Sequence, residues 1–186
     1  MAGSDKLSTG GWRFFLWWML AFLGFPIGGL LAFLLVGSVE GVVSGALGGA
    51  LAGALIGVAQ WLVLRRYLRV GLAWIAATAL GVAIGNALGA LLTDAGTGFE
   101  ALLITGMATG VAVGLLQWGL VLRDRLPLTS LWPPVVAIAW PVGWTVTWAA
   151  GIDVESGYYA FGASGALVFA AITGLAMLLM LRGRTR

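Results

Sequence analysis

Apolar residues run along the chain in six long segments, about 13 to 36, 41 to 64, 71 to 92, 101 to 122, 131 to 150 and 158 to 181, and charged residues gather in the joints between them. At about 1.5 Å rise per residue, a helix of roughly 20 residues crosses the ~30 Å hydrocarbon core of a bilayer. Each segment reaches that length. The hydrocarbon core offers no water to an unpaired backbone N–H or C=O, so helices bonded within themselves are the expected form. The pattern therefore predicts an all-α integral membrane protein with six transmembrane helices. Short joints make neighbours in sequence antiparallel neighbours in space. Residues 1 to 11 carry no basic stretch leading to a short apolar run with a small-residue cleavage site, so the first segment is expected to stay in place rather than be removed as a signal peptide.

Within the second segment Gly41, Gly45, Gly49, Gly53 and Gly57 stand at every fourth position, and Gly106, Gly110 and Gly114 repeat the spacing in the fourth. Residues four apart lie on one face of a helix, so each set forms a bare stripe where another backbone can come close. Such a glycine zipper reads first as helix packing inside one monomer. The functional alternative is an interface for a second copy or for a larger membrane complex.

Sliding the chain against itself by 57 residues aligns Trp17 with Trp74, Gly24 with Gly81, Gly28 with Gly85, Gly49 with Gly106, Gln60 with Gln117, Trp61 with Trp118 and Arg66 with Arg123. A further 58 residues takes Trp74 to Trp132 and Gly85 to Gly143, and a shift of 60 takes Gly114 to Gly174. The unit is a two-helix hairpin present three times, over about 13–69, 70–126 and 127–186, within a single membrane domain spanning 1–186. Copies of one topology are related by an axis along the membrane normal, so a pseudo-threefold ring of hairpins is expected.

Charge adds orientation. Lys6, Arg13, Arg65, Arg66, Arg69, Arg123, Arg125, Arg182, Arg184 and Arg186 fall on one side of the predicted spans, and Glu40, Asp94, Glu100, Asp153 and Glu155 on the other. By the positive-inside rule the basic side is cytoplasmic, with both termini inside. Thr97-Gly98-Phe99-Glu100 has the spacing of a capping box and predicts a helix start.

Composition narrows the chemistry. Hydrophobic residues make up 61% and charged residues 9% of 186, with mean hydropathy +1.03, which leaves no room for a separate soluble domain. Absence of cysteine and histidine removes thiolate chemistry, the commonest metal ligands and the usual haem ligands, so no cofactor and no metal is expected. The net charge of +3 is explained by orientation rather than by nucleic acid. Nucleophile–base pairs have no material here beyond loop carboxylates, so no enzyme activity is expected; Asp153-Val154-Glu155 is the strongest acidic cluster.

Three polar residues within the spans are candidates for a lining. Gln60 and Gln117 recur near the basic ends of their helices, with Met177 at the third equivalent position, and Asn86 lies deeper in the third helix. A buried amide must be hydrogen-bonded, either to a neighbouring helix or to water in a vestibule. Pro26 and Pro141 occupy equivalent mid-helix sites and predict kinks. No Asp, Glu or His lies within a span, which counts against a proton-coupled carrier.

The pairing of a GxxxG run with Gln60-Trp61-Leu62-Val63-Leu64-Arg65-Arg66, and again with Gln117-Trp118-Gly119-Leu120-Val121-Leu122-Arg123, resembles small glycine-rich polytopic bacterial membrane proteins. The resemblance covers the first two hairpins and implies a bacterial inner-membrane location, with no activity attached. The functional expectation is a non-catalytic scaffold or accessory subunit packing through its glycine-rich faces. The alternative is a passive channel or carrier for an ion, small solute or lipid along the pseudo-axis.

Overall fold

The computed structural model describes residues 2–152 and 163–183, with side chains from residue 11 onward. All its regular elements are helical: α1 (Ala2–Leu20), a 3-10 turn (Ala21–Leu23), α2 (Gly24–Val36), α3 (Val42–Leu64), α4 (Ala73–Thr93), α5 (Phe99–Gln117) running on as a π-helical turn (Trp118–Leu122), a 3-10 turn (Thr129–Leu131), α6 (Trp132–Ala149) and α7 (Ala163–Gly183). Five stretches are long and apolar enough to cross a membrane, namely Gly11–Val36, Val42–Leu64, Ala73–Thr93, Phe99–Leu122 and Ala163–Gly183. They make this a membrane-embedded protein. The fifth predicted segment forms α6, whose four tryptophans and three prolines in 18 residues lower its hydropathy below that of the other five. Positions 158–162 of the last predicted segment, with Asp153 and Glu155, lie outside the described residues.

From α2 onward each helix packs on the next in sequence, and α7 packs back on α1, the 3-10 turn after Leu20 and α2, so the elements form a closed ring. Large apolar side chains such as Leu34, Leu35, Leu91, Leu92 and Leu179 point outward. Lipid tails accept them without cost, and for the same reason cannot drive the helices together. Close backbone contact has to do that work. A methyl group added at Gly49 would lie 2.8 Å from the Val82 carbonyl oxygen, at Gly53 2.9 Å from Ala79 Cα, and at Gly57 3.0 Å from Ile75 Cα, so this stripe of α3 is seated on α4. Gly45 belongs to the same seam, 3.0 Å from the Asn86 carbonyl oxygen. On α5 the corresponding distances are 3.1 Å from Gly106 to Pro141 Cα, 2.8 Å from Gly110 to Ala137 Cα and 2.9 Å from Gly114 to Pro133 Cα, all on α6.

Two expectations are corrected. Gly41 does not pack: it precedes α3 in extended backbone, and an added methyl meets nothing within 4 Å. The box predicted at Thr97 does not form, because α5 begins after Gly98 and carries no side-chain cap; Glu100 instead sits in the first turn, beside the positive end of the helix dipole. The side-chain cap falls on α3, where Ser44 Oγ accepts from the backbone N–H groups of Glu40 at 2.9 Å and Gly41 at 3.1 Å. At Pro141 α6 continues as one helix, whereas Pro26 lies in the first turn of α2 directly after the 3-10 turn, where the ladder of α-helical bonds is already interrupted. The missing N–H and the ring's clash with the preceding turn are absorbed there.

Glycines outside the predicted stripes complete the ring. Gly24 and Gly28 of α2 back onto Ile56 and Ala52 of α3, and Gly81 and Gly85 of α4 back onto Val113 and Thr109 of α5. A Cβ at Gly81 would stand 2.6 Å from Val113 Cα, whereas Gly119 has open space on all sides. Gly81→Ala is expected to destabilise by about 1 to 3 kcal/mol through overpacking, and Gly119→Ala to be neutral or stabilising by up to about 1 kcal/mol through chain entropy. Melts of the two variants in one detergent check the opposite signs.

Candidate functional site

At the basic end of the bundle the ring closes around three indoles. Trp18 of α1, Trp74 of α4 and Trp132 of α6 are buried with their centroids 6.0 to 6.5 Å apart, two of the three pairs edge-to-face. Edge-to-face contact sets the positive rim of one ring on the negative face of the next. An indole N–H can only donate, and each of these three finds an acceptor on a glycine-rich helix. Trp74 Nε1 donates to Gln60 Oε1 at 3.2 Å, Trp132 Nε1 to Gln117 Oε1 at 2.9 Å and Trp18 Nε1 to Thr173 Oγ1 at 3.1 Å.

Because the indoles can only donate, the carboxamide oxygens are the ends facing them, which turns the amide nitrogens toward other acceptors. Gln117 Nε2 donates to Thr78 Oγ1 at 2.9 Å and stands 3.5 Å from Gln60 Oε1. The Thr78 hydroxyl gives its own proton to the Trp74 carbonyl at 2.8 Å and thereby keeps a lone pair for Gln117. Thr173 likewise donates to the Phe169 carbonyl at 2.8 Å. Gln60 is 4% exposed and Gln117 1%. The cluster is thus a neutral network of donors and acceptors, and it contains no group that gains or loses a proton near neutral pH.

The structure brings Gln60 and Gln117 together and leaves Asn86 apart. Asn86 lies toward the other end of α4, buried, where its Oδ1 accepts from Thr109 Oγ1 of α5 at 3.3 Å. Between the two levels the interior is filled by Phe25, Trp140 and Phe169, whose ring centroids lie 5.0 to 5.8 Å apart. Val82, Val113 and Ile56 are equally buried.

Two members of the cluster differ from the residues that the 57-residue alignment selects. The alignment pairs Trp17 with Trp74, yet Trp17 is 42% exposed and Trp18, 1% exposed, takes the inner place. The 3-10 turn after Leu20 winds more tightly than an α-helix and changes the phase between the tryptophans and Gly24. Likewise Met177 fills the third glutamine position as apolar packing, and Thr173, one turn earlier on the same face, supplies the acceptor. Thr78 and Thr173 each lie four residues from an aligned position, so a search along the helix face rather than at the aligned position alone reaches both.

Among the described residues no group of three or more His, Cys, Asp or Glu stands close enough to hold a metal ion. Arg65 and Arg66 lie over the rings of Trp61 and Trp17 at 4.5 and 4.9 Å from the centroids, on the outer rim of the same end.

Replacing Gln117 by leucine removes the acceptor of one buried indole and the donor to Thr78, and is expected to cost about 1 to 3 kcal/mol. In the double variant Gln117→Leu/Trp132→Phe the indole N–H that needed Gln117 is gone, so the loss should fall below the sum of the two single losses, as a thermal double-mutant cycle would show. Comparison with known protein families, with curated proteins and with solved structures finds no match to this chain.

Proposed function

We propose that this chain is a non-catalytic scaffold or accessory subunit of the bacterial inner membrane, with six spans arranged as three two-helix hairpins about a pseudo-threefold axis along the membrane normal. The observation that carries the reading is the filled centre. Trp74, Gln60, Gln117, Thr78 and Trp132 bond one another, and Trp18 bonds Thr173, where a conduit would need water, and an aromatic cluster fills the level beyond. Hydrogen bonds among helices in lipid are worth about 0.6 to 2 kcal/mol each, which suits a role in holding helices together.

The hairpin repeat draws support from contacts that recur at constant offsets. The seam Gly49–Ala83, Gly53–Ala79 and Gly57–Ile75 returns as Gly106–Pro141, Gly110–Ala137 and Gly114–Pro133, shifted by 57 residues on the glycine side and 58 on the other. In this reading α6 is the span added to those five: it carries no charge and packs against α5 as α4 packs against α3. Since Gly45 to Gly57 and Gly106 to Gly114 are engaged within the chain, a second copy or a larger complex would meet the leucine-rich outer faces instead.

Reconstituted wild-type protein is expected to conduct no specific solute, and Gln60→Leu/Asn86→Leu/Gln117→Leu to melt at lower temperature. A specific wild-type flux that disappears in an equally stable triple variant would establish the alternative, a passive conduit. Orientation follows from the basic end: a reporter fused after Arg186 should read cytoplasmic, and a cysteine placed at Gly96 should be labelled from outside. Labelling of Gly96 from the inside would reverse the assignment.

A further inference from the structure

Among the described residues, the outer surface carries a groove of about 240 Å³ between α1, the 3-10 turn after Leu20 and α3. Its floor is Ala21, Ala59 and Val63, its apolar walls are Leu20 and Leu62, and Trp17 and Arg66 stand at its mouth. The helices are locked at Gly24 and Gly28, where an added Cβ would lie 3.0 Å from Ile56 Cα and 2.9 Å from the Ala52 carbonyl oxygen. From that lock toward the basic end the side chains facing the gap are too short to fill it. The groove is also particular to this seam. At the corresponding seam of α4 and α5, Leu116 stands where α3 has Ala59, and Trp74 is turned into the core where α1 leaves Trp17 outside.

The mouth is cationic and preorganised. Arg66 is exposed, its guanidinium carbon 4.9 Å from the centroid of the Trp17 ring, and a guanidinium held at such a site offers several N–H donors to an oxyanion. Among the described residues the one cation–carboxylate pair is Arg123–Asp124 at 3.8 Å, so Arg66 has no carboxylate partner there. A tryptophan and an arginine together suit the headgroup level of a membrane, and the apolar slot below them suits a hydrocarbon chain.

We infer that this groove seats one anionic phospholipid, with its phosphate on Arg66 and one acyl chain along Ala21, Ala59 and Val63. The inference rests on the membrane orientation proposed above and is independent of whether the protein is a scaffold or a conduit, because it is read on the purified protein alone.

The test is a thermal melt of delipidated protein in neutral detergent with added phosphatidylglycerol, phosphatidylcholine or inorganic phosphate. Phosphatidylglycerol at about ten times its Kd is expected to raise the melting temperature of the wild type on the order of 3 °C, phosphatidylcholine at the same concentration, whose choline cation opposes Arg66, to raise it less, and inorganic phosphate to leave it unchanged. Arg66→Gln removes the charge and Ala59→Leu fills the slot, so both should lose the shift. Arg123→Gln, the equivalent position without a groove, should keep it. Equal shifts in all four proteins would mean diffuse attraction to the basic end and would overturn the site. So would a shift with phosphate alone, or its survival in either Arg66→Gln or Ala59→Leu. If Ala59→Leu fails to fold, Ala59→Val takes its place with the same expected loss.

Discussion

Close approach of one helix backbone to another is the condition on which the whole ring depends. In water, apolar side chains would supply the force for burial, but among lipid tails they gain nothing by leaving one apolar surrounding for another. What remains is dispersion, which falls off within fractions of an ångström, together with a small number of hydrogen bonds. The glycines of α3 and α5 bring α4 and α6 within reach of both. They also bring the indoles of α4 and α6 to the carboxamides of α3 and α5, so the polar cluster is a product of the seams rather than an independent device.

The elements that were legible in the sequence are those set by composition over a long window or by strict spacing. Twenty apolar residues in a row locate a span to within a few positions, as at 41 to 64 against Val42–Leu64. A four-residue glycine period identifies a seam, and Gly45 through Gly57 all lie in one. Gly41 shares the period and not the seam, because spacing says nothing about where the helix starts. The cap at Ser44, rather than at Thr97, shows the same limit: the choice turns on the local path of two or three residues.

Other features were hidden because they depend on phase. A single 3-10 turn exchanges Trp17 for Trp18 at the centre, a rotation that no alignment of residues at fixed offset records. Asn86 shares the polarity of Gln60 and Gln117, but depth separates them, and Asn86 answers to Thr109. The threonines carry no signal in the sequence because threonine is ordinary in a span. Its hydroxyl can back-bond to its own helix and still accept, which makes it a relay between a neighbour's amide and its own backbone.

The bond from Trp18 to Thr173 joins residues 155 positions apart. During synthesis the indole of α1 enters the bilayer with its N–H already in need of an acceptor, and the hydroxyl that receives it is made only after every other helix described here. Until then α1 can hold its place only through local neighbours such as α3, and the first helix is fixed last. The ring can therefore close only once α7 has been made. A change in α7 that removes Thr173 leaves its trace at the opposite end of the sequence, in the environment of Trp18.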